Sequence, residues 1–233
     1  MVEEPETSTD APLYFLPMPS PSLPIVCDTT FEIAARTSGA TLIAGIDEVG
    51  RGALAGPVVA AAVILDLNCI PAGLNDSKKL TATKREKLDA EIRAAALAYA
   101  IARVEADEID RINILQATRK AMCAAIQRLN PVPDYLLLDA MQLREIPLPQ
   151  KSIIKGDAKS VSIAAASIIA KVARDRWMKD YEQEFPGYGW TNHVGYGTAE
   201  HLQALRQMGP CQIHRLTFRK VLPEADQIRL FQA

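Results

Sequence analysis

Apolar and polar positions follow two different rhythms along the chain. In the first, short apolar runs are separated by turn residues. Residues 41–48 are apolar until they close on two adjacent acids, Asp47 and Glu48. Residues 58–65 form an unbroken Val- and Ala-rich run, as in a strand covered on both faces. Between them, residues 49–57 supply the glycines of a tight connection. Residues 83–96 have helical spacing and residues 99–105 read as a third strand, which predicts an antiparallel meander.

The second rhythm alternates helices with short strands. Residues 113–129 carry apolar positions at helical spacing and end at Asn130-Pro131. Residues 135–138 form a continuous apolar strand that stops at Asp139, and residues 152–154 form another, followed by Lys155-Gly156-Asp157. A long helical stretch, 160–185, ends at Pro186-Gly187. Such alternation implies parallel neighbours. The whole reads as an α/β protein with a mixed sheet and a more helical tail.

Six of the fifteen prolines fall in the first 24 residues, so residues 1–38 read as an irregular, acidic arm. Residues 39–185 then make the core, and residues 186–233 a C-terminal helical region.

Composition narrows the class. With 48% apolar and 23% charged residues in 233, the chain is an ordinary globular one. The start is acidic rather than basic and then apolar, so it reads as no secretory signal. The uncharged apolar stretch of residues 53–65 is too short for a membrane span of about 20 residues. A cytoplasmic location without a membrane is expected. Cys27, Cys69, Cys123 and Cys211 form no C-x-x-C pair and read as free thiols.

Charge distribution matters more than its sum. Residues 1–32 hold six acids, among them Asp28 and Glu32, and no Lys or Arg; without them the net charge of −2 becomes +4. Residues 151–180 carry seven basic residues against three acids. A basic surface on the body suits a nucleic-acid partner, and a solvated charged face would look the same.

The acids carry the chemistry. Asp47, Glu48, Asp139 and Asp157 stand at the ends of apolar runs, where a carboxylate is costly unless the sheet end is open or a cation is held there. Carboxyl ends of strands in open α/β sheets are where sites form. Converging carboxylates repel unless divalent cations neutralise them, and an all-oxygen set selects Mg²⁺ or Mn²⁺. Two such ions roughly 4 Å apart activate a water and stabilise a leaving oxygen. Each acid also has a plainer reading: Asp157 as the N-cap of the long helix, Asp139 as a turn cap. Asp47 and Glu48, being adjacent, point to opposite faces of a regular strand.

Five ordered blocks bring a family into view. Residues 44–52 (AGIDEVGRG), 74–80 (LNDSKKL), 138–140 (LDA), 155–157 (KGD) and 164–175 (AAASIIAKVARD) resemble ribonuclease HII, the type 2 ribonucleases H, over about residues 41–220. The resemblance implies a ribonuclease H-like fold, a mixed five-stranded sheet flanked by helices with a small helical C-terminal region. It implies Asp47, Glu48, Asp139 and Asp157 as catalytic and metal-binding acids. It also implies hydrolysis of RNA–DNA hybrids, and of duplex DNA 5′ to a single ribonucleotide, leaving 3′-hydroxyl and 5′-phosphate ends.

Substrate contacts follow from the same resemblance. Gly50, Arg51 and Gly52 occupy the turn whose backbone probes the ribose 2′-hydroxyl, the feature that separates RNA from DNA. A plain hairpin turn is the alternative for these three. Tyr196, between glycines, falls where the family meets the deoxynucleotide after the ribonucleotide. Ser77, Lys78 and Lys79 resemble a phosphate-binding segment, and Lys171 lies four residues past Ser167 on the same helix face. One departure stands out: Val194 lies where similar sequences carry a basic residue. His201 and His214 have no nucleophile beside them in sequence and read as structural, supporting the junction-reading region.

A related family, ribonuclease HIII, prefers longer hybrids and carries a folded N-terminal DNA-binding domain, for which the arm is too short. A resolvase or transposase core would not explain the Gly-Arg-Gly turn. A hybrid-binding module without turnover would have no need of four buried acids. A monomer is expected. The tail segment 227–231 is a loose match to the segments by which some relatives bind a sliding clamp.

Overall fold

The computed structural model describes residues 27–223. Helix α1 (Thr30–Thr37) leads into β1 (Ile43–Val49) and β2 (Val58–Leu65). Then come α2 (Ala82–Ala95), β3 (Ala96–Val104) and α3 (Ala106–Gln127). Next are β4 (Tyr135–Asp139), β5 (Gln150–Ile153) and α4 (Val161–Glu184). Two short helices, α5 (Trp190–His193) and α6 (Ala199–Met208), belong to the C-terminal region.

The sheet runs β3-β2-β1-β4-β5. The first three strands pair antiparallel and β4 and β5 add parallel to β1. The five-stranded mixed sheet is as the sequence predicts. All of β2 is buried because both its faces are covered. Ala60, Ala62 and Ile64 pack with Met122 and Ile126 of α3. Val59, Ala61 and Val63 face Ala165, Ile168 and Ile169 of α4. Small residues on β2 let both helices approach the sheet closely.

Gly45 sets the α4 distance. A Cβ there would stand 2.1 Å from the backbone carbon of Ser162. The helix therefore rests directly on β1 main chain, and its uniformly buried first half, Val161 to Ala170, is wedged between the sheet and α2.

Four elements differ from expectation. The end of the arm is helical: α1 docks through Glu32, fully buried, which accepts from Ser160 Oγ (2.5 Å) and Ser162 N (3.0 Å). The arm before residue 27 lies outside the described residues. The helix expected from residue 113 starts at Ala106, with Asn113 non-helical at φ 67°. Asn113 accepts from Leu115 N and Gln116 N, so the start read from the sequence is the cap of its second segment. β3 follows α2 without a loop, three residues earlier than expected, and β5 spans Gln150–Ile153 rather than 152–154. The four cysteines are free thiols. Among the described residues no helix is long and apolar enough to cross a membrane.

Candidate active site

Strand register brings the acids together. β1 and β4 run parallel with Ile46 opposite Leu138, so the next residues, Asp47 and Asp139, emerge side by side at the same sheet end. Glu48 follows directly. Asp157 lies on a 3-10 turn, Gly156–Ala158, just past β5. It is not the cap of α4: that role belongs to Ser160, whose side chain accepts from Ile163 N. Asp139 accepts from Gly156 N at 2.8 Å, which ties the Asp157 turn to the end of β4.

The electrostatics are those of crowded, desolvated carboxylates. Burial pushes the Asp47 carboxyl well above the usual range, and the charges of Glu48 and Asp139 push it further. Burial also raises Glu48, against the pull of Arg51, whose Nη1 lies 3.2 Å from Glu48 Oε1. Asp157 is raised by burial, by Asp76 and Asp139, and by a hydrogen bond with the Asp76 carboxyl. Adjacent acids of one strand thus share one field, although alternation alone would separate them.

The charge is partly answered from within. Burial alone would lower the Lys78 ammonium; Asp157, Asp76, Asp47 and Asp139 outweigh it and hold it above the usual lysine value. Two clefts meet at Lys78. One, of about 280 Å³, is lined by Glu48, Ser77, Ser167, Lys171 and Tyr196. The other, of about 480 Å³, is lined by Asp76, Lys79, Asp139, Lys155 and Asp157.

Whether this set fits a hard cation is a question of donor chemistry. Among the described residues no three His, Cys, Asp or Glu side chains already stand close enough to hold a metal ion. The donors are all carboxylate oxygens, and Glu48 Oε2 is buried with no hydrogen-bond partner. Raised carboxyl pKa values and an orphaned buried oxygen fit an Mg²⁺- or Mn²⁺-type ion drawing the oxygens in.

The other predicted residues fall around the acids. Gly50 (φ 88°) is buried against Arg174; a Cβ there would meet Arg174 Nε at 2.2 Å. A Cβ on Gly52 would meet nothing within 4 Å, so the fold itself does not require this glycine. Arg51 pairs with Glu48 through its side chain and accepts from Arg215 Nη1 through its carbonyl (3.0 Å). Lys78 and Lys79 are exposed and Ser77 is buried. Lys171 is mostly buried and already bonded to Asp175 at 2.7 Å, so contact with a phosphate requires it to leave that partner.

Four further residues shape the site without being among the site residues expected from the sequence. Asp76, within the quoted 74–80 block, bonds the Asp157 carboxyl and lines the larger cleft. Ser167 donates to Asp47 and meets Ser77 Oγ at 2.9 Å, forming a hydroxyl chain to the acid. Arg174, fully buried, donates to the carbonyls of Pro57, Ala55 and Val194, and its guanidinium lies 5.6 Å from the Tyr196 ring. Arg215 likewise donates to Gly56 O. Together these two arginines join the Gly-Arg-Gly loop to the Tyr196 loop. Ser167 and Arg174 both lie within the quoted 164–175 block, and that block is the signal for them.

A mixed five-stranded sheet with acids at the ends of its paired central strands defines a ribonuclease H-like enzyme. Comparison with known proteins sharpens that class. A family model for ribonuclease HII matches residues 44–221. Ribonuclease HII of Enterococcus faecalis is 59% identical over 191 residues, 82% of this chain and 74% of that protein. The crystal structure of the ribonuclease H2 from Pyrococcus horikoshii superposes with a TM-score of 0.66 at 26% identity, covering 83% of this chain and all of that one. The ribonuclease HII of Archaeoglobus fulgidus, solved in complex with PCNA, gives 0.66 at 27% identity, covering 78% and 95%. The chain belongs to the ribonuclease HII family and is a type 2 ribonuclease H.

Proposed function

We propose that this chain is a divalent-cation-dependent endonuclease that cuts the RNA strand of RNA–DNA hybrids and nicks duplex DNA 5′ to single embedded ribonucleotides. The products carry 3′-hydroxyl and 5′-phosphate ends, as ribonucleotide excision repair requires. One observation carries the reading: the parallel register that sets Asp47 beside Asp139, with Glu48 Oε2 buried and unpartnered next to them.

Asp47, Glu48, Asp139 and Asp157 would hold the ions. When bound, Mg²⁺ or Mn²⁺ supplies an acidified water and stabilises charge on the leaving 3′-oxygen. The protein's own part is positional. Ser167 and the Glu48 main-chain N–H hold the Asp47 carboxylate, and the Gly156 N–H holds that of Asp139. Gly50, Arg51 and Gly52 present main-chain groups to the 2′-hydroxyl; the space over Gly52 leaves room for a sugar to approach. The half-buried Tyr196 ring, held near Arg174, packs on the following deoxyribose. Ser77, Lys78, Lys79 and Lys171 take the flanking phosphates, contacts that position without reading sequence.

The test is cleavage of a labelled DNA duplex carrying one ribonucleotide, with Mg²⁺, with Mn²⁺ and with chelator. A metal-dependent cut 5′ to the ribonucleotide supports the reading. Cleavage confined to long hybrids would move the assignment to a hybrid-preferring enzyme, and binding without cleavage to an inactive module. Sliding-clamp binding, as in the archaeal complex, is a weaker proposal here; segment 227–231 lies outside the described residues.

A further inference from the structure

All three histidines of the chain gather behind Tyr196, away from the acids. His193 and His201 stack at 4.5 Å, and Trp190 packs edge-on to His201 at 5.1 Å. The hydrogen bonds fix where each proton sits. Cys211 N–H donates to His214 Nδ1 at 2.9 Å, a shorter contact than the 3.3 Å from that nitrogen to Cys211 O, so the nitrogen carries a lone pair. The His214 proton is therefore on Nε2, which faces His201 Nε2 at 3.0 Å. Two nitrogens in contact need one donor and one acceptor, so His201 accepts there and carries its proton on Nδ1. That proton points at Tyr196 O, 3.0 Å away. His193 is fixed separately: Gly195 N–H donates to its Nδ1, and its Nε2 donates to Tyr188 O.

We infer that His201 is a positioning residue for ribonucleotide recognition, the last link of a chain of neutral imidazoles, Cys211 N–H to His214 to His201, that fixes the Tyr196 main chain. Tyr196 needs such an anchor. It stands between Gly195 (φ 84°) and Gly197, and glycines on both sides leave the ring's direction loosely set. Its carbonyl accepts from Thr198 N (2.8 Å) within its own turn; His201 is the side chain that ties this carbonyl to the buried body. His201 and His214 are buried, and burial depresses both imidazoles, so neither takes the second proton that would break the chain. The inference rests on the proposed contact of the Tyr196 ring with the nucleotide after the ribonucleotide.

Two amide substitutions separate positioning from packing. His201→Asn places an N–H near the Nδ1 position and keeps a donor for Tyr196 O. His201→Gln places its amide near Nε2, toward His214, and loses that donor. The readout is the ratio of single-ribonucleotide to all-RNA hybrid cleavage. His201→Gln should lower this ratio about tenfold, which equals ~1.4 kcal/mol, one hydrogen bond's worth. His201→Asn should stay near wild type, and in a Tyr196→Ala background His201→Gln should lower the ratio no further. Equal ratios in both variants, or an additive loss on Tyr196→Ala, would overturn the inference. If Tyr196→Ala itself leaves the ratio unchanged, the reading of Tyr196 fails and the inference falls with it. A second measurement needs no variant: nitrogen NMR of the wild-type protein should find His201 protonated at Nδ1 and His214 at Nε2. The opposite tautomers would refute the chain.

Discussion

The main-chain N–H of Gly156 donates to Asp139 Oδ1 at 2.8 Å, so the turn that carries one acid also orients another. A Cβ on Gly156 would lie 2.6 Å from Ile163 Cδ1 and 3.4 Å from Asp139 Oδ1. The Ile163 end can shift; the carboxylate then turns with the peptide. Gly156→Ala should therefore cut kcat by about tenfold or more while costing only about 1–2 kcal/mol of stability. Steady-state cleavage and urea unfolding measured together decide it; a full loss of stability with normal kcat per folded molecule would contradict it.

Asp47 is buried and its carboxyl is pushed well up, first by burial and then by Glu48 and Asp139. A carboxyl raised in the folded state contributes stability below its unfolded pKa and loses it as pH rises through the folded value. At neutral pH this carboxyl therefore works against the fold. Asp47→Asn should raise the unfolding midpoint in chelator and lower cleavage by orders of magnitude. Added Mn²⁺ should stabilise wild type more than this variant. Near-normal cleavage would remove Asp47 from the metal site.

Tyr196→Ala should reduce cleavage at a single ribonucleotide more than cleavage of an all-RNA hybrid, because only the former has a deoxynucleotide after every scissile position. Equal loss on both substrates would refute junction sensing by this ring.

Val194 adopts the left-handed conformation (φ 44°, ψ 39°), a costly place for a β-branched residue. Its carbonyl accepts from Arg174 Nη1 at 2.8 Å, which helps hold it there. Val194→Lys removes the branch and places a basic residue next to the Tyr196 loop. Duplex binding should tighten at low salt, with the slope of log K against log salt steepening by about one phosphate's worth. An unchanged salt slope would mean that no phosphate passes this position.

Burial, with help from His201, lowers the His214 pKa to about 4. A histidine depressed in the folded state lends stability that is complete above its unfolded value, near 6.5, and lost as pH falls toward 4. The effect is on the order of 2–3 kcal/mol. Wild type should lose more stability than His214→Gln between those limits. NMR titration should find the His214 ring still neutral at about pH 5.5, where an ordinary histidine is mostly charged.

The sequence was legible where a single residue type had to interrupt a pattern. Asp139 ends a run of leucines, and that break located the end of β4. Asp47 and Glu48 marked the end of β1 in the same way. The all-apolar β2 announced a strand covered on two sides. What could not be read were groups whose meaning depends on distant partners. Ser167 is one more small residue on a helix until β1 places Asp47 against it. Arg174 looks like surface charge, yet it is buried on three carbonyls from two separate loops. Asp76 looks like the cap of a turn, which it also is, accepting from Lys78 N. α1 escaped because prolines upstream dominated the local composition, and its N-cap, Thr29, makes no side-chain bond.

Glu32 counts in the sequence as one acid of a solvated arm. In the fold it is fully buried and receives the Ser160 hydroxyl and the Ser162 N–H at the start of α4. The sixth acid of an acidic leader is thus a structural part of the helix that holds Asp157's turn in place. A fusion, tag or shortened version of this enzyme that begins at β1 would leave Ser160 Oγ and Ser162 N, at the start of α4, without their Glu32 partner. The usable boundary of the catalytic unit lies upstream of α1, not at the first strand.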